Sequence, residues 1–457
     1  MLSTYIIVIT IALVAVPVFV SIYRAESLLA FYIIGIPMVL FVVETLRLPW
    51  NTVMTGMIRV VLFIPVLFWW WLSRPKPDEL LLPRRFGFNA AIIMMLFLLW
   101  EAKYFYEGQY LGAEVRYERL KWAYCLQDWG AALLLGFMMP LTYKRLQRLL
   151  GALGAIGIIW ATFEMGAFLL GKADMTMEKE SEYERYQFAA SVGSLGLGIN
   201  TAIGASGLLG WFLMKNRAKP SQSRNIFVGV CIGVMAFAVL LTGSRGPMVS
   251  MFATLIIFLF LLGGRNAIRF GLALIVLGVL VYISLQVVPD STKNRLFGSL
   301  GTGAGGRWQL FVNSLAILRV SPFLGQTRGI ISLTGIAYSH QIFSQILVET
   351  GLVGLAMYLV AAIPTMVRWT VAAFRRQSEA WTFAGPLCVW LAFEVVQRNM
   401  AAGNIACADF WVIVGIMMGH RLVPRSVAYS YAEGGILTEY GPSAEAALAS
   451  HFPQSQW

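Results

Sequence analysis

Charge is scarce in this chain. Only 13% of its 457 residues are Asp, Glu, Lys or Arg, against ~25% in soluble domains, and the mean hydropathy is +0.70. That excludes a soluble enzyme. Histidine is scarcer still, with three residues, and the four cysteines, Cys125, Cys231, Cys388 and Cys407, lie in or beside apolar runs without a CxxC pair. Neither a disulfide framework nor a zinc site is indicated. Acidic residues number 23 and show no DxD spacing, nor is there an HxxxH. No metal and no cofactor are expected, so arginine must supply positive charge wherever chemistry needs it.

Apolar sequence is what the chain has in abundance. Hydrophobic residues make up 58% of it, and a bilayer crossing takes ~20 of them. Runs near 4–23, 27–44, 54–72, 87–106, 124–141, 149–171, 187–214, 226–242, 247–263, 267–288, 341–366, 380–397 and 404–421 predict about 12–13 transmembrane helices. The first run has no basic leader and no small-residue cleavage site, so it reads as a retained span. The expected fold is an all-α polytopic integral membrane protein with a long, partly helical periplasmic loop. Its parts are N-terminal transmembrane helices over 1–288, the loop over 289–340, C-terminal transmembrane helices over 341–422, and a flexible cytoplasmic tail over 423–457.

The net charge of +12 would suggest nucleic acid in a soluble protein, but here it divides by loop. Alternate loops carry Arg74, Lys76, Arg84 and Arg85, then Lys144, Arg145 and Arg148, then Lys215, Arg217, Lys219 and Arg224, then Arg265 and Arg269, then Arg368, Arg375 and Arg376. Loops this basic are cytoplasmic. Between them lie mixed or acidic loops at 101–121 and 172–185, which face the other side. The longest connection, 289–340, is expected on that other face, yet it carries Lys293, Arg295, Arg307, Arg319 and Arg328 against Asp290. Insertion does not favour basic residues there, so an anionic ligand is the expected reason. Trp308, Phe311, Val312, Leu315 and Leu318 recur at helical spacing, which predicts an interfacial amphipathic helix opening at Arg307.

Four constellations could carry chemistry. Leu241-Thr242-Gly243-Ser244-Arg245-Gly246-Pro247 lies between two apolar runs and predicts a tight hairpin on the outer face. Glycine permits close approach and the guanidinium offers a planar fork to a small anion, although a turn with a snorkelling arginine has the same residue types. Tyr338-Ser339-His340-Gln341 opens the next span, and imidazole suits proton abstraction near neutral pH. Glu349 lies about 180° around a continuous helix from His340, so it is expected to pack or to support the site rather than pair with the imidazole. Arg185 closes an acidic outer loop ahead of a Gly-rich run. Glu164, Asp128, Glu394, Arg398 and Asp409 lie in or at the ends of spans and are expected to pair with neighbours.

Taken in order, Thr242-Gly243-Ser244-Arg245-Gly246, Gly306-Arg307-Trp308, Pro322-Phe323-Leu324-Gly325, and His340 followed by Glu349-Thr350-Gly351-Leu352-Val353-Gly354 resemble the O-antigen ligase and polymerase superfamily of bacterial envelope enzymes over roughly residues 150–420. The resemblance implies a multi-pass inner-membrane glycosyltransferase, metal-independent and inverting. It would move a glycan from undecaprenyl diphosphate to an acceptor at the periplasmic face. It places the general base on His340 and the diphosphate-binding arginines on Arg245, Arg307, Arg185 and Arg328, with Gln341, Glu349 and Ser244 as possible supporting groups. Family members commonly have Asn after the histidine, where this chain has Gln341. The partners implied are the undecaprenyl-diphosphate-linked glycan, membrane lipid, and either the lipid A core, as in a ligase, or a second glycan, as in a polymerase. A lipid-linked sugar flippase is the alternative from another class, but the chain shows no internal repeat and its unusual charge lies at one face. No nucleic acid partner is expected.

Overall fold

The computed structural model describes residues 24–36, 52–72, 82, 84, 87–109, 125–169, 174–177, 184–187, 194–218, 221–263, 268, 271, 275, 278, 312, 315–326, 341–375, 381–400, 407–422, 429–431 and 437–439. Helix α1 (Ala25–Ala30) runs into a π-helical turn, Phe31–Gly35. Then come α2 (Thr52–Leu72), α3 (Phe88–Gly108), a second π-helical turn (Leu126–Ala131) leading into α4 (Ala132–Met138), and α5 (Tyr143–Leu169). After them follow α6 (Ser194–Ala218), α7 (Gln222–Leu241), α8 (Arg245–Leu262), a 3-10 turn at Ile317–Arg319, α9 (Ile342–Phe374), α10 (Trp381–Met400) and α11 (Ala408–Gly419). Six helices among the described residues are long and apolar enough to cross a membrane, and the protein is a helical polytopic membrane protein. Exposed Phe68, Trp71, Val230, Phe252 and Phe260 give the outside of the bundle the apolar surface that lipid requires.

Two short antiparallel ribbons depart from the purely helical expectation. Strand β1 (Asp174–Met177) pairs with β2 (Glu184–Gln187) in the loop between α5 and α6, and Thr176 lies opposite Arg185. Between antiparallel neighbouring helices the connection has to double back, and Thr176 and Tyr186 suit a strand. In the tail, β3 (Tyr429–Tyr431) pairs with β4 (Leu437–Glu439). The run expected at 4–23 and most of the predicted amphipathic segment lie outside the described residues. Of that segment, Val312, Leu315 and Ala316 are helical and Ile317–Arg319 forms the 3-10 turn.

Packing centres on α6, which is buried along most of its length between α5, α7, α8 and α10. The α5–α6 seam is made of glycine. A Cβ at Gly157 would stand 2.6 Å from the Cα of Gly204, and one at Gly207 would stand 2.6 Å from the Cβ of Leu153. In lipid such close approach supplies the dispersion contact that holds helices together, because burying apolar groups gains nothing there.

The basic loops meet at one end of this bundle. Arg84 donates to the Met138 carbonyl at 2.5 Å, Tyr143 to Met214 O at 2.8 Å, and Arg224 to Lys215 O at 2.9 Å. Buried Glu26 and Arg145 pair at 3.7 Å. Also at this end, His420 follows α11 and bridges to Arg84. Its Nδ1 lies 2.9 Å from Ile416 O, so Nδ1 carries the proton.

Candidate active site

The opposite end collects the polar groups that the basic loops do not explain. Here α7 turns into α8 through Thr242, Gly243 and Ser244 alone, a tight helical hairpin. Thr242 Oγ1 donates to Val239 O at 2.7 Å and accepts the Ser244 amide at 3.2 Å, while Gly243 takes a φ of 61°. Ser244 is buried and Arg245, partly buried, is the first residue of α8. Its guanidinium therefore starts from the end of α8 where backbone N–H groups and the helix dipole favour an anion. Gly198 of α6 is packed beneath the turn, since a Cβ there would lie 3.0 Å from Thr242 Oγ1 and 3.2 Å from Pro247 Cγ. One turn into α8, Ser250 Oγ bonds Gln397 Oε1 of α10 at 3.0 Å.

A second group surrounds the start of α9. Gln341 caps the helix with its carbonyl, which accepts the Gln345 amide at 2.8 Å and Ser344 Oγ at 3.0 Å. Glu349 is fully buried, and Gln345 Nε2 donates to it at 2.8 Å and Trp100 Nε1 of α3 at 2.7 Å. Two residues later Gly351 breaks the helix with φ 65°. A break frees two carbonyls and two amides, and all four are satisfied. Leu352 N donates to Pro322 O at 2.9 Å, Val353 N to Phe323 O at 3.2 Å, Gln326 N to Val348 O at 2.8 Å, and Lys103 Nζ to Glu349 O at 2.8 Å.

The Pro322–Gly325 turn and the Glu349-Thr350-Gly351 stretch thus form one interlocked unit. Gly325 also has positive φ, at 63°, and each glycine faces the backbone of the other segment: a Cβ on Gly325 would collide with Val348 O, and one on Gly351 with the Phe323 carbonyl. An L side chain at either position meets both left-handed strain and overlap. Gly351→Ala is expected to cost at least ~1–3 kcal/mol, read as a lower melting temperature of the detergent-purified protein. An unchanged melting temperature would contradict the interlock.

A third group is ionic. Arg398 of α10 pairs with Glu394 at 3.4 Å and with Asp409 of α11, and Trp390 Nε1 donates to Glu394 Oε1 at 2.9 Å. Arg59 of α2 pairs with Asp128, and the field of Asp409 reaches Arg59 as well. Asp128, Glu394, Arg398 and Asp409 therefore pair with neighbours as expected. Glu164 is buried with its Oε2 lacking a partner among the described residues. A line of rings, Tyr104 on Trp100 at 4.0 Å, Trp100 to Trp129 at 5.7 Å and Trp129 on Trp411 at 4.6 Å, connects the Glu349 group with α11.

The structure therefore brings Ser244, Arg245, Gln341 and Glu349 to one end of the bundle and puts Arg185 on β2. Arg307, Arg328 and His340 lie outside the described residues. Sequence reasoning passed over Lys103, Trp100, Gln345, Arg59 and the Ser250–Gln397 bond. For Lys103 a signal existed, because an ionisable residue within a run as apolar as α3 is a functional candidate by default.

Fold and site together define a polytopic membrane protein with basic residues gathered at one end of its helices and the hairpin and the α9 break at the other. Residues 230–359 match the family model described as O-antigen ligase, a span that takes in Ser244, Arg245, Arg307, Arg328, His340, Gln341 and Glu349 and leaves out Arg185. The match supports the O-antigen ligase and polymerase superfamily and indicates a membrane enzyme of ligase or polymerase type. No curated protein matches the chain.

Proposed function

We propose that this protein is an inner-membrane glycosyltransferase that moves a glycan from undecaprenyl diphosphate to an acceptor at the periplasmic face, with the lipid A core as that acceptor. The observation that carries the reading is the family match, because its span holds both the Thr242–Arg245 hairpin and the segment that ends at His340. The collection of basic loops at the opposite end supports it, since that end is then cytoplasmic and the hairpin end periplasmic.

In the proposed reaction His340 takes the proton from the acceptor hydroxyl as its oxygen bonds to the anomeric carbon. The bond from that carbon to the diphosphate oxygen breaks on the opposite side, and undecaprenyl diphosphate leaves. A single displacement inverts the anomeric centre. Arg245, Arg307, Arg185 and Arg328 stabilise the charge that develops on the leaving diphosphate, work that preorganised guanidinium groups do well in a partly dehydrated site. Ser244 and Gln341 shape the two ends of the site, and Glu349 supports it through the helix break. The reading requires no metal.

Purified protein mixed with undecaprenyl-diphosphate glycan and lipid A core is expected to give a new covalent glycan–core product. Product formed only with a second glycan repeat as acceptor would make the protein a polymerase. Movement of the donor between leaflets without any product would make it a flippase, and either result would overturn the ligase reading.

A further inference from the structure

The first turn of α8 is not held by its own cap. Ser244 occupies the N-cap position without a side-chain bond to the turn, and Pro247 has no N–H to give. What fixes this turn comes from the side. Ser250 Oγ lies 2.8 Å from Gly246 O, the carbonyl next to Arg245, and 3.0 Å from the side-chain amide of Gln397 on α10. Ser250 and Gln397 are both fully buried. A serine hydroxyl carries one proton, so with that proton on Gly246 O the Gln397 amide has to be the donor. Turning the amide over puts Nε2, which has no other partner among the described residues, on Ser250 Oγ. At this level α10 is itself braced, because the neighbouring Arg398 pairs with Glu394 at 3.4 Å and with Asp409 of α11. A relay of hydrogen bonds thus runs from a braced helix to the residue beside Arg245.

We infer that Gln397 is a positioning residue for Arg245: through Ser250 it holds the first turn of α8 against α10 and so sets where the guanidinium starts. This rests on the proposed transfer reaction, in which Arg245 meets the leaving diphosphate. Gln397 touches no substrate itself. Arg245 follows directly on the Thr242-Gly243-Ser244 turn, which is packed on Gly198 of α6, so a first turn loosened from α10 carries the whole side chain with it. A displacement of about 1 Å can cost ~10²-fold in rate.

The test uses the full-length protein in detergent with undecaprenyl-diphosphate glycan and whichever acceptor, lipid A core or a second glycan, gives product. Gln397→Met is expected to lower kcat ~10–10²-fold with donor KM within about twofold, and Ser250→Ala to do the same. The double variant should be no slower than either single one, because both remove the same link. At matched melting temperature Ser250→Thr, which keeps the hydroxyl, should retain most of the native rate. The decisive comparison is made in Arg245→Ala protein, where adding Gln397→Met is expected to cost less than about twofold more. If Gln397→Met does not fold, Ser250→Ala takes its place in that comparison. Losses that multiply in the Arg245→Ala background overturn the inference, as do a Gln397→Met variant with native kcat and a Ser250→Thr variant as slow as Ser250→Ala. Native protein that forms no product with either acceptor is the failure of the transfer reading and takes the inference with it, whereas native transfer with multiplied losses is the failure of the inference alone.

Discussion

Alanine at His340 is expected to leave a folded protein that transfers glycan ~10²–10⁴ times more slowly than the native enzyme. The size of the effect follows from what the acceptor needs. A sugar hydroxyl is a poor nucleophile until its proton is taken, and the chain has three histidines in all, of which His420 lies at the opposite, basic end. An imidazole with its unperturbed pKa near ~6.5 is half neutral close to physiological pH. The measurement is single-turnover transfer by native and His340→Ala protein of matched thermal stability. Full activity in the alanine variant would falsify the base assignment, because His420, the one histidine among the described residues, lies at the basic end.

The second large effect concerns Arg245. Arg245→Ala is expected to lower kcat by ~10²–10³, the cost of removing one preorganised group from a developing negative charge. Arg245→Lys keeps the charge but not the fork, so it should fall between the native protein and the alanine variant. The position of the residue is what makes the effect large. Arg245 is the first residue of α8, its predecessor Ser244 is buried, and Gly198 lets α6 come up beneath the turn. A guanidinium held at such a site needs little reorganisation when charge develops. The two variants should leave donor KM nearly unchanged if Arg245 acts in the transition state and raise it if the residue serves ground-state binding. Lys and Ala variants both as active as the native protein would mean that neither fork nor charge acts there, whereas equal losses in the two would assign the whole effect to the fork.

Apolar runs made most helices legible, and α3, α7 and α8 begin and end within a few residues of the expected bounds. Differences arose where a helix outran its apolar stretch. The expected start of α5 at 149 moved to Tyr143, because its polar first turn is held by the Arg145–Glu26 pair. The expected end of α9 at 366 moved to Phe374. The hairpin was legible because Thr242-Gly243-Ser244 has too few residues to do anything but turn. The interlock was not, because it depends on Pro322–Gly325 and Glu349–Gly351 meeting, and hydropathy cannot show that Gly351 breaks a helix inside an unbroken apolar run. Lys103 was hidden by its neighbours: Glu101 and Glu107 made the end of α3 look like an acidic loop. From charge alone the chemistry was expected at the end away from the basic loops, since the outer arginines run against the orientation rule.

The paired glycines also bear on how the chain enters the bilayer. At the break in α9, the free carbonyls of Val348 and Glu349 and the amides of Leu352 and Val353 find partners in Lys103, Gln326, Pro322 and Phe323 among the described residues. Lipid offers such groups nothing. Until the Pro322–Gly325 turn has docked and α3 has brought Lys103 into place, an unkinked α9 with its own internal bonds is the cheaper form to release into the membrane. All of these partners lie earlier in the chain than α9, so synthesis delivers the receptor before the helix that must bend onto it. Maturation of this end of the protein is then a late straight-to-bent conversion, and the interlock cannot form in any nascent chain that stops short of Val353.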